Sequence, residues 1–134
     1  MLLLGGLLVI VVVAATHNGG GGNASPNTLT GSVSKSKAEV NGKTVVASTR
    51  VKVGGQPGTQ VTLKWGLVDS LSGRASVQDR VAKRFTTTAD TVTHDVVLRF
   101  PTPTVPSHYI INFALFGPNG LIDSGDTGEF IVPE

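Results

Sequence analysis

The sequence predicts a mainly β protein, a seven-stranded antiparallel sandwich preceded by a short hydrophobic N-terminal helix and a Gly-rich linker. Apolar and polar residues alternate over most of the chain, a pattern typical of half-buried strands. Clusters of glycine, proline and asparagine separate these runs, and one continuous apolar stretch stands at the N-terminus. We therefore divide the chain into a hydrophobic segment (1–16), a linker (17–28) and a β-sandwich domain (29–134).

The strands are predicted from the alternation, and the turns from the residues between them. Predicted strands lie near Leu29–Ser34, Val45–Val53, Gln60–Val68, Gln78–Thr87, Thr91–Phe100, His108–Phe116 and Gly128–Val132. The turn Gly117-Pro118-Asn119-Gly120 makes the last two strands a hairpin, because proline suits its first corner and Asn-Gly tolerates positive φ. Gly54-Gly55-Gln56-Pro57-Gly58 joins the second and third strands. Short strands in this number predict an antiparallel sandwich.

Two aromatic residues extend this prediction to a family resemblance. Trp65, on the third predicted strand, resembles the core tryptophan of immunoglobulin-like domains. Tyr109 follows the proline-rich corner Pro101–Pro106 and resembles their tyrosine corner, and the run PSHYIINFALFGPNG is similar to fibronectin type III domains. The resemblance implies an immunoglobulin-like sandwich with Trp65 and Tyr109 in its core, and it implies no particular function.

The composition narrows the classes of function. The chain of 134 residues has no cysteine, which excludes disulfides, thiolate metal sites and a cysteine nucleophile. Its 11 lysine and arginine residues nearly balance 9 aspartate and glutamate residues. Such a balance gives no indication of nucleic acid as a partner.

The apolar N-terminal stretch allows three interpretations. It suits a secretory signal, with small residues at Val13-Ala14-Ala15, although no basic residue precedes it. It suits a membrane anchor less well, because a helix of about 22 Å is shorter than a hydrocarbon core of about 30 Å. The third interpretation, which we favour, is packing between copies in a polymer. The assembly residues are then Leu2, Leu3, Leu4, Leu7, Leu8, Val9, Ile10, Val11, Val12 and Val13.

The overall layout supports that third interpretation through a second resemblance. A hydrophobic N-terminal segment followed by a β-sandwich resembles archaeal type IV pilins and related surface filaments. This resemblance implies that apolar helices form the filament core and that the sandwiches face outward. The linker residues Gly19, Gly20, Gly21 and Gly22 would join the two parts, and Asn23-Ala24-Ser25 is a candidate glycosylation site at Asn23.

Acidic residues near the C-terminus are candidates for catalysis or for calcium binding. Asp123-Ser124-Gly125 and Asp126-Thr127-Gly128 each resemble the active-site triplet of aspartic proteases, but two triplets this close on one strand do not face each other. We interpret them as a glycine-punctuated bend in the last strand. Asp123, Asp126 and Glu129 carry oxygens suited to calcium, and a solvated acidic edge is favoured instead.

Basic and histidine side chains are the remaining candidates. A cluster of four cations suits phosphate or glycan binding, and a solvated edge strand is the favoured interpretation: Arg74, Arg80, Lys83 and Arg84. His94 and His108 with one acid would make a site only if the fold joined them, and no motif supports catalysis.

These observations lead to one main expectation and two alternatives. We expect a non-enzymatic structural subunit, extracellular or at the cell surface, that forms homopolymers through its N-terminus and uses no cofactor or metal. A membrane would be a partner during assembly, and a glycan or host surface is left open as a partner. The alternatives are a secreted or membrane-anchored module that binds a glycan or protein, and a virion surface or decoration protein.

Overall fold

The computed structural model describes the backbone of residues 8–11 and 16–17 and all of residues 28–134. These residues form ten strands and no helix. The strands are β1 (Leu8–Val11), β2 (Thr16–His17), β3 (Thr30–Asn41), β4 (Thr44–Gly54), β5 (Gln60–Asp69), β6 (Arg74–Thr86), β7 (Val92–Pro101), β8 (Ser107–Gly117), β9 (Gly120–Asp126) and β10 (Phe130–Val132).

The strands form two antiparallel sheets, which confirms the prediction of a mainly β antiparallel sandwich. Sheet I has the order β1-β7-β4-β3, with β2 also paired to β7. Sheet II has the order β10-β8-β5-β6, with β9 also paired to β8. The edges of sheet I among the described residues are therefore β3 on one side and β1 with β2 on the other.

The core lies between the sheets and is built from the alternation that the sequence shows. In β4, Val45, Ala47, Val51 and Val53 are buried, and in β8 the same is true of every second residue from Tyr109 to Leu115. Trp65 of sheet II is 1% exposed and stacks on Phe100 of sheet I, with their ring centroids 4.8 Å apart. Aromatic pairs at this distance hold the two layers together over a large buried area.

The N-terminal segment does not form the predicted helix where the structure describes it. Leu8–Val11 is a strand, β1, paired antiparallel with β7. This stretch is rich in β-branched residues, which favour strands, and the edge of β7 supplies the hydrogen-bond partners. The other residues assigned to assembly lie outside the described residues, as do the linker glycines and the glycosylation candidate: Leu2, Leu3, Leu4, Leu7, Val12, Val13, Gly19–Gly22 and Asn23.

The end of the chain also differs from the prediction. The predicted turn at Gly117–Gly120 is present, but it joins β8 to β9, a strand missing from the predicted set. The predicted last strand, Gly128–Val132, corresponds to β10, and the predicted bend separates β9 from β10. Thr127 causes this separation, because its hydroxyl accepts a hydrogen bond from the Ile111 amide at 3.0 Å and so replaces a ladder contact. Both strands follow the same edge of β8, with β9 beside its second half and β10 beside its first.

The first strand of the sandwich is longer than predicted and irregular. β3 continues to Asn41, with a register shift between Ser34 and Lys37. Lys35 has φ of 52°, the left-handed conformation that one type of bulge uses and that glycine usually supplies. The bulge bends β3 towards sheet II, where the Val33 amide donates to Asp123 Oδ2 of β9 at 2.7 Å. This hydrogen bond closes one side of the sandwich.

Tyr109 ties the proline-rich corner to the core. Its side chain is 1% exposed, and its hydroxyl donates to the Val105 carbonyl at 2.6 Å. Burial raises the pKa of Tyr109, and the charge of Asp69 adds to the effect. The hydrogen bond fixes the loop between β7 and β8, which also sets where β7 ends.

Replacement of Tyr109 by phenylalanine tests this contribution. Y109F removes only the hydroxyl and leaves the Val105 carbonyl without its partner, so we expect a loss of about 1 kcal/mol in the free energy of unfolding. Urea unfolding followed by Trp65 fluorescence measures it, and an unchanged m-value shows that the same surface is still exposed on unfolding. A midpoint equal to that of the wild-type protein would show that the corner is held by packing alone.

Candidate assembly site

The outer edge of β7 is where the described part of the N-terminal segment meets the sandwich. In β1 the register partners are Leu8 with Arg99, Val9 with Leu98, Ile10 with Val97 and Val11 with Val96. In β2, Thr16 pairs with Thr93 and His17 with Val92. The apolar segment therefore contacts the sandwich as an added strand, and this edge is the candidate assembly site.

The β7 edge is more regular than the edge strands β3 and β6. Its pairing with β4 runs without interruption from Thr44 opposite Pro101 to Val53 opposite Val92. The edge strands β3 and β6 both contain register irregularities. Irregular edges resist the addition of a further strand, whereas a regular edge is a template for one. β7 is therefore suited to accept a strand.

One charged residue of β7, Asp95, is paired within the sheet. Asp95 accepts a hydrogen bond from Arg50 Nε of the neighbouring strand β4 at 2.9 Å. This hydrogen bond and the charge of Asp95 raise the pKa of Arg50. The pairing draws the carboxylate towards β4, away from the side on which β1 lies. Alternate residues Val96 and Leu98 are fully buried in the core, so the edge itself is fixed by the packing of the sandwich.

His94 is the titratable group of this edge whose surroundings oppose a charge. Its ring lies 4.7 Å from the Phe85 ring of β6, and its buried Nδ1 has no hydrogen-bond partner among the described side chains and backbone groups. Burial lowers the pKa of His94 below the ordinary 6.5, and the charge of Lys83 lowers it further. The half-buried imidazole therefore packs between β7 and β6, at the margin of the apolar core.

The acidic residues of the C-terminal strands do not come together. Asp123 is the register partner of Leu115, which faces the core, whereas Asp126 pairs with Asn112 on the outer face. Asp126 Oδ1 accepts a hydrogen bond from Asn112 Nδ2 at 2.6 Å, and Asp123 binds the Val33 amide. Carboxylates on opposite faces of a strand cannot share a proton, so the two protease-like triplets do not form a dyad.

His94 and His108 lie in different sheets, and only His108 meets an acid and a serine. His108 Nδ1 is 3.1 Å from Glu129 Oε1, and the Ser70 hydroxyl donates to Glu129 Oε2 at 2.5 Å. The hydrogen bond from Ser70, and then that from His108, lowers the pKa of Glu129. Serine and histidine both contact the carboxylate here, and the serine hydroxyl does not lie on the imidazole as nucleophile activation requires.

The basic cluster lies along the edge strand β6. Its members form no ion pair with a described carboxylate: Arg74, Arg80, Lys83 and Arg84. Register shifts in β5–β6 pairing place these cations along an irregular strand. Charged side chains on an irregular edge protect it from pairing with another chain. The β7 edge differs from β6 because its pairing is regular.

No group of three or more histidine, aspartate or glutamate side chains suited to a metal occurs in the described ranges. Within those ranges, we also find no helix of the length and hydropathy needed to cross a lipid bilayer.

Comparisons with known proteins give information on the fold. No protein-family model matches the sequence, and no curated protein matches it. A β-glucosidase from Kluyveromyces marxianus contains a similar structure, with a TM-score of 0.51 and 11% identity over 80% of this chain. β-Glucosidase 3B from Thermotoga neapolitana, in complex with glucose, has a TM-score of 0.49 and 13% sequence identity over 78% of this chain.

These similarities concern one part of much longer proteins. The chain covers 14% of the first enzyme and 16% of the second. At such low identity the first similarity shows the fold alone, an antiparallel sandwich consistent with the immunoglobulin-like class. The resemblance to pilins stays a prediction.

The packing of His94 predicts a pH dependence of stability. Its pKa is lower in the folded chain than in the unfolded one, so the unfolded state binds more protons as the pH falls through that interval. Stability from this group is complete above about pH 6.5 and declines until the folded-state pKa is reached. H94F keeps an aromatic ring against Phe85 and cannot titrate.

Urea unfolding at several pH values between about 7 and about 5 measures this effect. We expect the wild-type free energy of unfolding to fall across the interval and the H94F variant to show a smaller fall. If the free energy of unfolding falls equally with pH in the two proteins, the folded chain accommodates charged His94 as well as neutral His94.

Proposed function

We propose that this chain is a structural subunit of an extracellular filament or other surface assembly, which polymerises through its hydrophobic N-terminus and displays the sandwich. The observation that carries the proposal is the pairing of Leu8–Val11 with β7. An apolar segment that fits a sandwich edge as a strand is an element that can join copies of the chain.

The chemistry of the sandwich is consistent with a structural role. The carboxylates of the C-terminal strands each hold a structural hydrogen bond: Asp123 to the Val33 amide, Asp126 to Asn112 and Glu129 to Ser70. The edge strands β3 and β6 carry irregularities that discourage unplanned pairing. Such a module suits repeated display on a surface, and we infer a location outside the cell.

The proposal keeps the pilin-like layout but changes the secondary structure of the N-terminal segment. In archaeal type IV pilins the N-terminal segments pack as helices, whereas Leu8–Val11 here is a strand. We infer that the N-terminal segment assembles copies, and the strand pairing supports a β-type contact in place of a helical core. We therefore expect the partners of this chain to be further copies of itself, in a homopolymer.

Removal of the apolar segment tests the proposal. A variant lacking residues 2–15 keeps β3–β10 and the whole core, so we expect a folded monomer that no longer assembles. Light scattering measures the mass, negative-stain microscopy shows whether filaments form, and circular dichroism with Trp65 fluorescence confirms folding. Continued polymerisation by the truncated chain would contradict the proposal.

A matched variant separates hydrophobicity from chain length. Replacement of Leu8, Val9, Ile10 and Val11 by threonine keeps the length and the strand propensity but removes most of the apolar surface. We expect this variant to assemble much less than the wild-type chain. If both variants are monomers and the native protein is also a monomer, the chain is better explained as a secreted binding module.

A further inference from the structure

We propose that the β7 edge of one copy accepts the strand Leu8–Val11 of a second copy, in the antiparallel register that the structure shows within one chain. The inference rests on the proposed function and names its mechanism, strand exchange between neighbouring sandwiches. The occupant of the edge is then a second copy of this chain.

The register shows where the connection between strand and sandwich begins and ends. His17 of β2 pairs with Val92 of β7, Val92 pairs with Val53 of β4, and Val53 pairs with Gly31 of β3. These four residues form one row across sheet I. With neighbouring strands about 4.8 Å apart, the row spans roughly 14 Å.

The chain between His17 and Gly31 is longer than this row requires. Extended, these residues reach roughly 45 Å, about three times the width of the row. The same connection therefore allows β1 to pair with its own β7 or with the β7 of a neighbour. The sequence of the connection includes Gly19–Gly22, a composition typical of flexible linkers.

Pairing within a chain and between chains uses identical contacts. The edge backbone groups and the apolar residues opposite Val96 and Leu98 are the same in both states, which is the condition for domain swapping. The difference is entropic, because the tether raises the local concentration of a chain's own strand. High protein concentration therefore favours exchange, and dilution favours closure.

The geometry of exchange is compatible with an open assembly. Each copy has one donor, β1, and one acceptor, the β7 edge, and these are different surfaces. A donor that enters the acceptor of the next copy makes a head-to-tail contact, which extends into a fibre unless the rotation closes a ring. The edge strands β3 and β6 are irregular, which makes them poorer acceptors than β7.

Cysteine pairs placed in the register test the exchange, since the chain contains no cysteine of its own. Ile10 and Val97 are antiparallel partners, and such partners have Cα atoms about 4.5–5.5 Å apart, within the range that a disulfide spans. The I10C/V97C double variant is oxidised as a concentrated assembly and run on a non-reducing denaturing gel. We expect a ladder of covalent multimers that reductant collapses.

Two controls define the register. In I10C/V46C the second cysteine lies on β4, which is one strand further from β1 than β7 is. Val46 of β4 is the register partner of Arg99 of β7. We expect it to give at least about tenfold less covalent multimer than I10C/V97C. An equal mixture of the single variants I10C and V97C should give covalent heterodimers, and L8C with R99C supplies a second pair if the first does not fold.

The outcomes separate this inference from the proposed function. If microscopy shows filaments but I10C/V97C forms only an intramolecular disulfide, strand exchange is wrong and assembly uses another contact. Filaments in which neither cysteine pair forms a disulfide also overturn the inference. If no filaments form and only the intramolecular disulfide appears, both the inference and the proposed function are wrong.

Discussion

An exposed sheet edge presents a row of backbone groups that need hydrogen-bond partners, and at β7 the N-terminal strand supplies them. β7 also carries Val96, Leu98 and Phe100 into the core, where Phe100 stacks on Trp65 of the other sheet. The position of the edge is therefore set by the packing between the layers. Whatever strand occupies this edge becomes part of the sandwich, which makes the edge the constraint on which the proposed assembly depends.

The edge strands β3 and β6 are less regular than β7. A bulge with a left-handed Lys35 bends β3, and register shifts mark β6, which carries a row of cations. The side opposite β7 is closed by the hydrogen bond from the Val33 amide to Asp123. Polar side chains that suggested chemistry in the sequence thus hold the fold together or protect its edges, and assembly remains the function that the arrangement supports best.

The sandwich could be predicted from the sequence because its residues alternate, and the hairpin at Gly117–Gly120 because its turn residues have specific conformations. The strand Leu8–Val11 could not, since a short continuous apolar run suits a helix or a buried strand equally. The split between β9 and β10 depends on the Thr127 hydroxyl reaching the Ile111 amide, a contact that periodicity does not reveal. The acceptor edge of β7 was missed for a similar reason, because strand order is a long-range property. One local signal was Val97, an apolar residue on the outward parity of β7.

Amide hydrogen exchange in β7 tests most directly whether the N-terminal strand pairs with this edge. I10P removes a backbone donor from β1 and disrupts its pairing. The account predicts faster exchange over Val96–Arg99 in this variant than in the wild-type chain, with exchange in the central strand β5 unchanged. Equal exchange rates over Val96–Arg99 in the two proteins would contradict it, because the edge would then need no added strand.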